Sequence, residues 1–207
     1  MPTATRTDDL PATLRAATAE LVAERGPTGF SLREVARRAG VSHAAPAHHF
    51  GDARGLLTSV AAEGFTTLAA NFDTAIVGLD DPVDRLNAMG KAYVRTAVEN
   101  PGHFAVMCVD ELVDDADPTL AVVSAAAYER LLDVISDIRD AHNPALDVDA
   151  AATMTFSLVH GFSTLLPSLD DLAEKTDTTL APFEEMVEKF TGLMMKGYAA
   201  RPEIITR

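Results

Sequence analysis

Residues 31–57, SLREVARRAGVSHAAPAHHFGDARGLL, restrict the fold more than any other stretch of this chain. Ser31 followed three residues later by Glu34 has the pattern of a capping box, in which the hydroxyl takes an orphan N–H of the first turn and the carboxylate reaches back to the cap. A helix is therefore predicted from about residue 32. Leu32, Val35, Ala36 and Ala39 recur at i, i+3, i+4 and i+7, which gives one apolar face, while Arg33, Arg37 and Arg38 project from the other. Gly40 supplies a left-handed residue to end the helix, Val41 tucks under the turn, and Ser42 is placed to cap a second short helix from His43 to about Phe50. Two short helices joined by a tight turn make a helix-turn-helix. The second carries His43, His48 and His49 but no acid, so it can approach a polyanion without repulsion, and the roughly 12 Å major groove of B-DNA admits one such helix.

The remaining sequence reads as helix punctuated by Gly and Pro, with no run of alternating β-branched residues, so the expected class is all-α. Pro11 opens a helix over about 9–25 with Leu14, Ala17, Leu21 and Val22 inward, which stops at Gly26-Pro27. This helix and the helix-turn-helix make a three-helix head, residues 1–55. A fourth helix over about 52–77 connects head to body without a break, with Leu56, Val60, Phe65, Leu68 and Phe72 inward. Asp81-Pro82 starts a fifth; Pro101, Pro118 and Pro144 divide those after it, and Pro167 is expected to end the helix that carries His160.

The 207 residues carry a formal net charge of −14. Its distribution matters more than its sum: residues 1–55 hold seven Arg against six acids, whereas the remaining residues hold ten basic side chains against 25 acids. The acidic body discourages nonspecific DNA binding without excluding specific binding by the head. A single cysteine, Cys108, excludes an intrachain disulfide and is expected to be a small buried hydrophobe. No signal peptide or long apolar span is evident, which predicts a cytoplasmic protein with no membrane partner. No G-x-S-x-G, H-E-x-x-H, glycine-rich phosphate loop or C-x-x-C is present, and His160 and Ser163 lack a marked acid partner, so no catalytic residue, cofactor or enzyme activity is expected. The head histidines lack an i, i+4 partner, and the acidic run Asp110, Glu111, Asp114, Asp115 and Asp117 lacks calcium-loop spacing; no metal site is expected.

V-A-x-x-A-G-V-S followed by H-F-x-D and an apolar helix resembles the DNA-binding domain of the TetR family of bacterial repressors over roughly residues 9–72. Pro101-Gly102-His103-Phe104 and Val159-His160-Gly161-Phe162 resemble the ligand-binding half of the subgroup named for a Trp-His-Gly motif, with Val in place of Trp. The resemblance implies a homodimeric, ligand-responsive regulator, most often a repressor, with partners operator DNA, a second copy of itself and a small hydrophobic effector. The expected DNA contacts are Ser31, Arg33, Arg37, Arg38, Ser42, His43, Ala44, Ala47, His48, His49 and Arg54. Ala47 and Ala53 stand where the family usually has a Tyr and a Lys that reach phosphates, and Arg54, His48 and His49 are the nearest substitutes. A helical small-molecule-binding protein with weak or lost operator binding is thus the alternative.

Residues 56–207 are expected to form the ligand-binding and dimerisation domain. Phe65, Met89, Tyr93, Phe104, Met107, Tyr128, Met154, His160 and Phe162 are the candidate lining of an apolar effector pocket, the reading that competes with plain core. Two helices, 148–166 and 182–199, are apolar on more than one face. Leu158, Phe162 and Leu165 on the first and Phe183, Val187, Phe190 and Met194 on the second are the expected dimer seam, because TetR-like proteins pair through their last two helices.

Overall fold

The computed structural model describes residues 9–176 together with Glu185, residues 187–189 and Gly192, with side chains as far as Leu166 and at those five positions. Eight helices occur among the described residues: α1 (Leu10–Arg25), α2 (Leu32–Ala39), α3 (Ala45–Phe50), α4 (Ala53–Ala75), α5 (Pro82–Glu99), α6 (Pro101–Met107), α7 (Pro118–His142) and α8 (Val148–Thr176). No strand is present among these residues. The chain divides into two compact units, one holding the residues to Thr67 with Glu99–Ala125, the other Leu68–Val98 with the residues from Ala126 onward.

Local chemistry sets the ends of the first unit's helices. Asp9 accepts from the Ala12 N–H at 3.1 Å at the start of α1, and Ser31 accepts from the Glu34 N–H at 3.3 Å at the start of α2. Only that half of the expected capping box forms as predicted: the Glu34 carboxylate turns to Arg37 at 2.7 Å and Arg25 at 3.5 Å. Gly40 ends α2 at φ 69, ψ 33, the left-handed region that costs an L side chain energy and glycine little. α3 starts two residues later than expected. Pro46 is buried in its first turn, where a missing N–H costs nothing, and Ala44 occupies the cap without a side-chain hydrogen bond. Ser42 contributes its backbone carbonyl to the Ala45 N–H at 3.0 Å instead of capping with its hydroxyl.

Leu14, Leu21, Val35 and Leu56 are wholly buried and join α1, α2 and α4 in one cluster, with Phe30, Val41 and Phe50 packed against it. Burying each Leu or Val is worth roughly 1.5–3 kcal/mol. A second cluster in the same unit gathers Val22 of α1, Leu57 and Val60 of α4, Val106 of α6, Val113 and Leu120. Helix α6 sits on α1 so closely that a Cβ at Gly102 would lie 1.9 Å from the Ala19 carbonyl oxygen. That contact explains the glycine of the Pro-Gly-His-Phe sequence: no other residue lets the two backbones meet.

In the second unit Asp81 caps α5 by accepting from Val83 and Asp84 at 2.7 and 3.3 Å. Leu86, Met89, Tyr93 and Val94 of α5, Leu131, Val134, Ile135 and Ile138 of α7, and Ala151 and Ala152 of α8 are buried. Arg130 grips Asp73 through two bonds of 2.7 Å, and the Asp73 carboxyl lies below its usual range because of that bond. α8 continues through Pro167 to Thr176, so this proline does not end it as expected. Cys108 is exposed, a correction to its expected burial. It occupies the C-cap position of α6, past the packed face of that helix. Desolvation by surrounding atoms, then the neighbouring Asp110 carboxylate, nonetheless push its thiol up to about 11.

Candidate nucleic-acid interface and aromatic cluster

The first unit presents α3 and the two residues before it with His43, Ala44, Ala47, His48 and His49 all exposed and Pro46 anchored inward. One side of this helix is held by the core and the other is bare, uncharged apart from imidazoles, and free of acids. Ser31 and Ser42 are exposed on the flanking turns. The four expected arginines part company in the structure. Arg33 is exposed and has no ion pair among the described residues. Arg37 bonds Glu34 at 2.7 Å but keeps 66% of its side chain exposed, so it can swing to an anion. Arg38 is the exception. Its guanidinium holds both oxygens of Glu24 at 2.7 and 2.8 Å and faces Glu20 at 3.5 Å, with 23% of the side chain exposed. Arg38 thus ties α2 to α1, and its hydrogen bond keeps the Glu24 carboxyl below its usual range. Arg54 donates from Nε to the Val113 carbonyl at 2.7 Å, an anchor 59 residues away in sequence.

The candidate effector residues separate between the two units. Phe65, Phe104 and Met107 belong to the first, where Phe65 packs on the core cluster and Met107 is buried with its sulfur against Gly64. Met89, Tyr93, Tyr128, Met154, His160 and Phe162 belong to the second. There the structure brings together Tyr93 and His160: the phenol oxygen and the imidazole Nδ1 stand 2.9 Å apart across 67 residues of sequence. Phe156 stacks on His160 at 5.5 Å between ring centroids, and it meets Tyr93 edge-on at 6.3 Å. Phe72 stacks on Tyr93 at 6.5 Å between centroids. Desolvation lowers the His160 pKa, which favours the neutral imidazole. Tyr128 and Met154 are exposed at 39% and 49%, while Phe162 is half-buried. Phe156 was missed from sequence, although its place four residues before His160 on one helix face was a usable signal.

Of the expected dimer seam, Leu158 and Leu165 are exposed at 37% and 55%. Val187 lies against α5, where a Cβ at Gly90 would come within 2.8 Å of it, and Lys91 pairs with Glu188. Phe183, Phe190 and Met194 lie outside the described residues. Among the described residues no group of three or more acids, His or Cys is arranged to hold a metal ion. No described helix is long and apolar enough to cross a membrane.

Residues 14–60 match the model of bacterial regulatory proteins of the tetR family, and residues 86–190 match that of the tetracyclin repressor-like C-terminal domain. The chain belongs to the TetR family. It is accordingly a DNA-binding transcriptional regulator and not an enzyme. The head match covers α2 and α3 entirely, and the C-terminal match spans both Gly102-His103 and His160-Gly161. Solved structures share the fold over nearly their whole length. A Rhodococcus protein of unknown function superposes with a TM-score of 0.76 at 25% identity, over 95% of this chain and 98% of its own. The TetR family regulator PfmR of Thermus thermophilus gives 0.68 at 21%, over 89% and 97%. The regulator FadR of Bacillus subtilis, solved in complex with stearoyl-CoA, gives 0.73 at 14%, over 90% and 98%. No curated protein sequence matches the chain.

Proposed function

We propose that this TetR-family regulator is a cytoplasmic repressor that binds a palindromic operator as a homodimer and is released from it by a small hydrophobic effector. Residues 1–55 act as the DNA-binding domain and 56–207 as the ligand-binding and dimerisation domain. The observation that carries the reading is the α3 surface: Ala44, Ala47, His48 and His49 stand exposed and acid-free on a helix whose other side is fixed by buried Pro46. Small residues at 44 and 47 let the helix backbone approach base edges, and His48 and His49 supply donors to phosphate or base. Arg33 and Arg37, with Ser31, Ser42, His43 and Arg54 around them, serve the phosphates. Arg38 positions α2 instead of touching DNA.

The effector part rests on the Tyr93, His160 and Phe156 cluster, an apolar setting with two polar tips. A neutral imidazole and a phenol orient a ligand by hydrogen bonding, and a strongly charged ligand would need a buried partner to offset its desolvation. That FadR was solved in complex with stearoyl-CoA supports an acyl chain, the apolar part of that ligand, as the chemistry of the effector. The ligand acts by binding more tightly to the conformation that does not fit DNA. In this reading Leu158, Phe162 and Leu165 with Phe183, Val187, Phe190 and Met194 form the dimer seam.

Fluorescence anisotropy with labelled operator tests the whole. Added acyl-chain or aromatic compounds are expected to release the DNA, with Tyr93→Ala and His160→Ala blunting the release. Release by no such compound refutes the effector. No operator binding at all favours the alternative, a helical ligand-binding protein, for which Ala47, Ala53 and the internal pairing of Arg38 already speak.

A further inference from the structure

Along one face of α4 in the first unit runs an open groove of about 680 Å³, a volume within the usual range for small-molecule sites. Its floor carries Thr58, Ser59, Thr66 and Thr67, which Ala62 and Glu63 link through three- and four-residue steps along one helical face. Thr66 and Thr67 give their hydroxyl hydrogens to carbonyls four residues back, at 2.8 and 3.0 Å, so only acceptor lone pairs remain to them. The Ser59 hydroxyl has no hydrogen-bond partner among the described residues. The Arg15 Nε–H donates to Glu63 Oε2 at 3.0 Å, and His103 stands 3.6 Å from the same oxygen. The Glu63 Oε1 accepts nothing among the described residues. Asp117 adds a second carboxylate to the lining, with Oδ1 capping α7 through Thr119 and Leu120 at 2.9 Å. Arg15, already joined to Glu63, is the one arginine on the wall, and His49 is the remaining titratable group.

This lining sets several acceptor oxygens among apolar surface of similar extent and carries more carboxylate than guanidinium. We propose that the groove is a second ligand site, on the DNA-binding unit itself, for a small hydroxylated organic ammonium. The ammonium bonds the unused oxygen of Glu63, and its hydroxyl or further amine hydrogens go to the Ser59, Thr66 and Thr67 oxygens. The site is separate from the hydrophobic effector cluster around Tyr93. An occupant also touches His49 and Phe50, the last residues of α3, which places it against the helix assigned to DNA.

Isothermal titration calorimetry of the full chain tests this, with glucosamine and putrescine as ammonium probes. Glucose and N-acetylglucosamine serve as uncharged matches and inorganic phosphate as the anion. Saturable binding of at least one ammonium probe at one per chain is expected, with the uncharged sugars weaker by about tenfold or more, the size of one charge-assisted hydrogen bond. Glu63→Gln, nearly the same shape without the charge, is expected to weaken binding by a similar factor, and Ser59→Leu to fill the floor and abolish it. Should Ser59→Leu fail to fold, Glu63→Gln decides. No saturable binding by either ammonium, equal binding by the uncharged sugars, preference for phosphate, or an unchanged affinity in a folded Glu63→Gln variant each overturns the proposal.

Discussion

Replacing Gly102 by alanine adds one methyl group at the crossing of α6 and α1, and the structure gives the sign of its effect. In an open helical position the change would stabilise by about 0.5–1 kcal/mol, because alanine loses less backbone entropy. Here the new Cβ would lie 1.9 Å from the Ala19 carbonyl oxygen and 2.6 Å from its carbonyl carbon. These are backbone atoms in the middle of a packed helix, so no rotamer change relieves the clash and the helices must separate. Overpacking of this kind costs about 1–3 kcal/mol, and a contact with backbone puts this case at the upper end. After the helical gain is subtracted, a net loss of about 2 kcal/mol is expected, or roughly 4–8 °C in Tm for a chain of this size. Urea and thermal unfolding of Gly102→Ala and the parent, at one protein concentration, measure it. Equal or greater stability in the variant would refute the close crossing and with it the explanation of the Pro-Gly-His-Phe sequence.

Arg33→Ala is expected to lower the salt slope of operator binding by about 0.9, one phosphate contact's worth, whereas Arg38→Ala should leave the slope unchanged while loosening α2 on α1; equal slope changes in both would contradict the division between them. Tyr93→Phe removes the phenol's bond to His160 and should cost about 1 kcal/mol, read by urea unfolding. The His160 pKa is lowered in the folded chain, so the unfolded chain takes up the proton first as pH falls. The contribution of this residue is therefore intact above the ordinary value of 6.5 and declines as pH drops below it, and His160→Gln should flatten that part of the stability profile. With its thiol at about 11, Cys108 should react with iodoacetamide at pH 8 far more slowly than a free cysteine peptide despite its exposure; a matching rate contradicts the desolvation.

What could be read from the sequence was local. Ser31, Gly40, Asp81 and the prolines at 11, 82, 101 and 118 act on their own or the adjoining turn, and helix ends followed from them. The inward set of α1 was equally plain, since Leu14, Ala17, Leu21 and Val22 share a 3.6-residue period and all four are buried. Where local signals competed, the reading slipped: Ser42 was a good cap by residue type, but Pro46 fixed the first turn of α3 further on. Pro167 looked like a stop, yet a helix can run through one lost hydrogen bond when the rest of it is held. Partners distant in sequence left no trace in periodicity. Nothing in the spacing of Arg33, Arg37 and Arg38 marked the last as the one bound to Glu24, fourteen residues away. Gly102 read as part of a motif, and only the crossing with α1 supplies its reason.

The central claim is that two copies of α3 read one palindromic site, and selection of binding sequences from random duplex DNA by the purified protein tests it most directly. The enriched sequences are expected to converge on an inverted repeat with half-site centres about one helical turn apart, some 10 base pairs or a multiple of it. His49→Ala should bind the selected site more weakly while remaining a dimer by sedimentation. Convergence on a single unrepeated site, or failure of any sequence to enrich over a nonspecific background, would contradict the account.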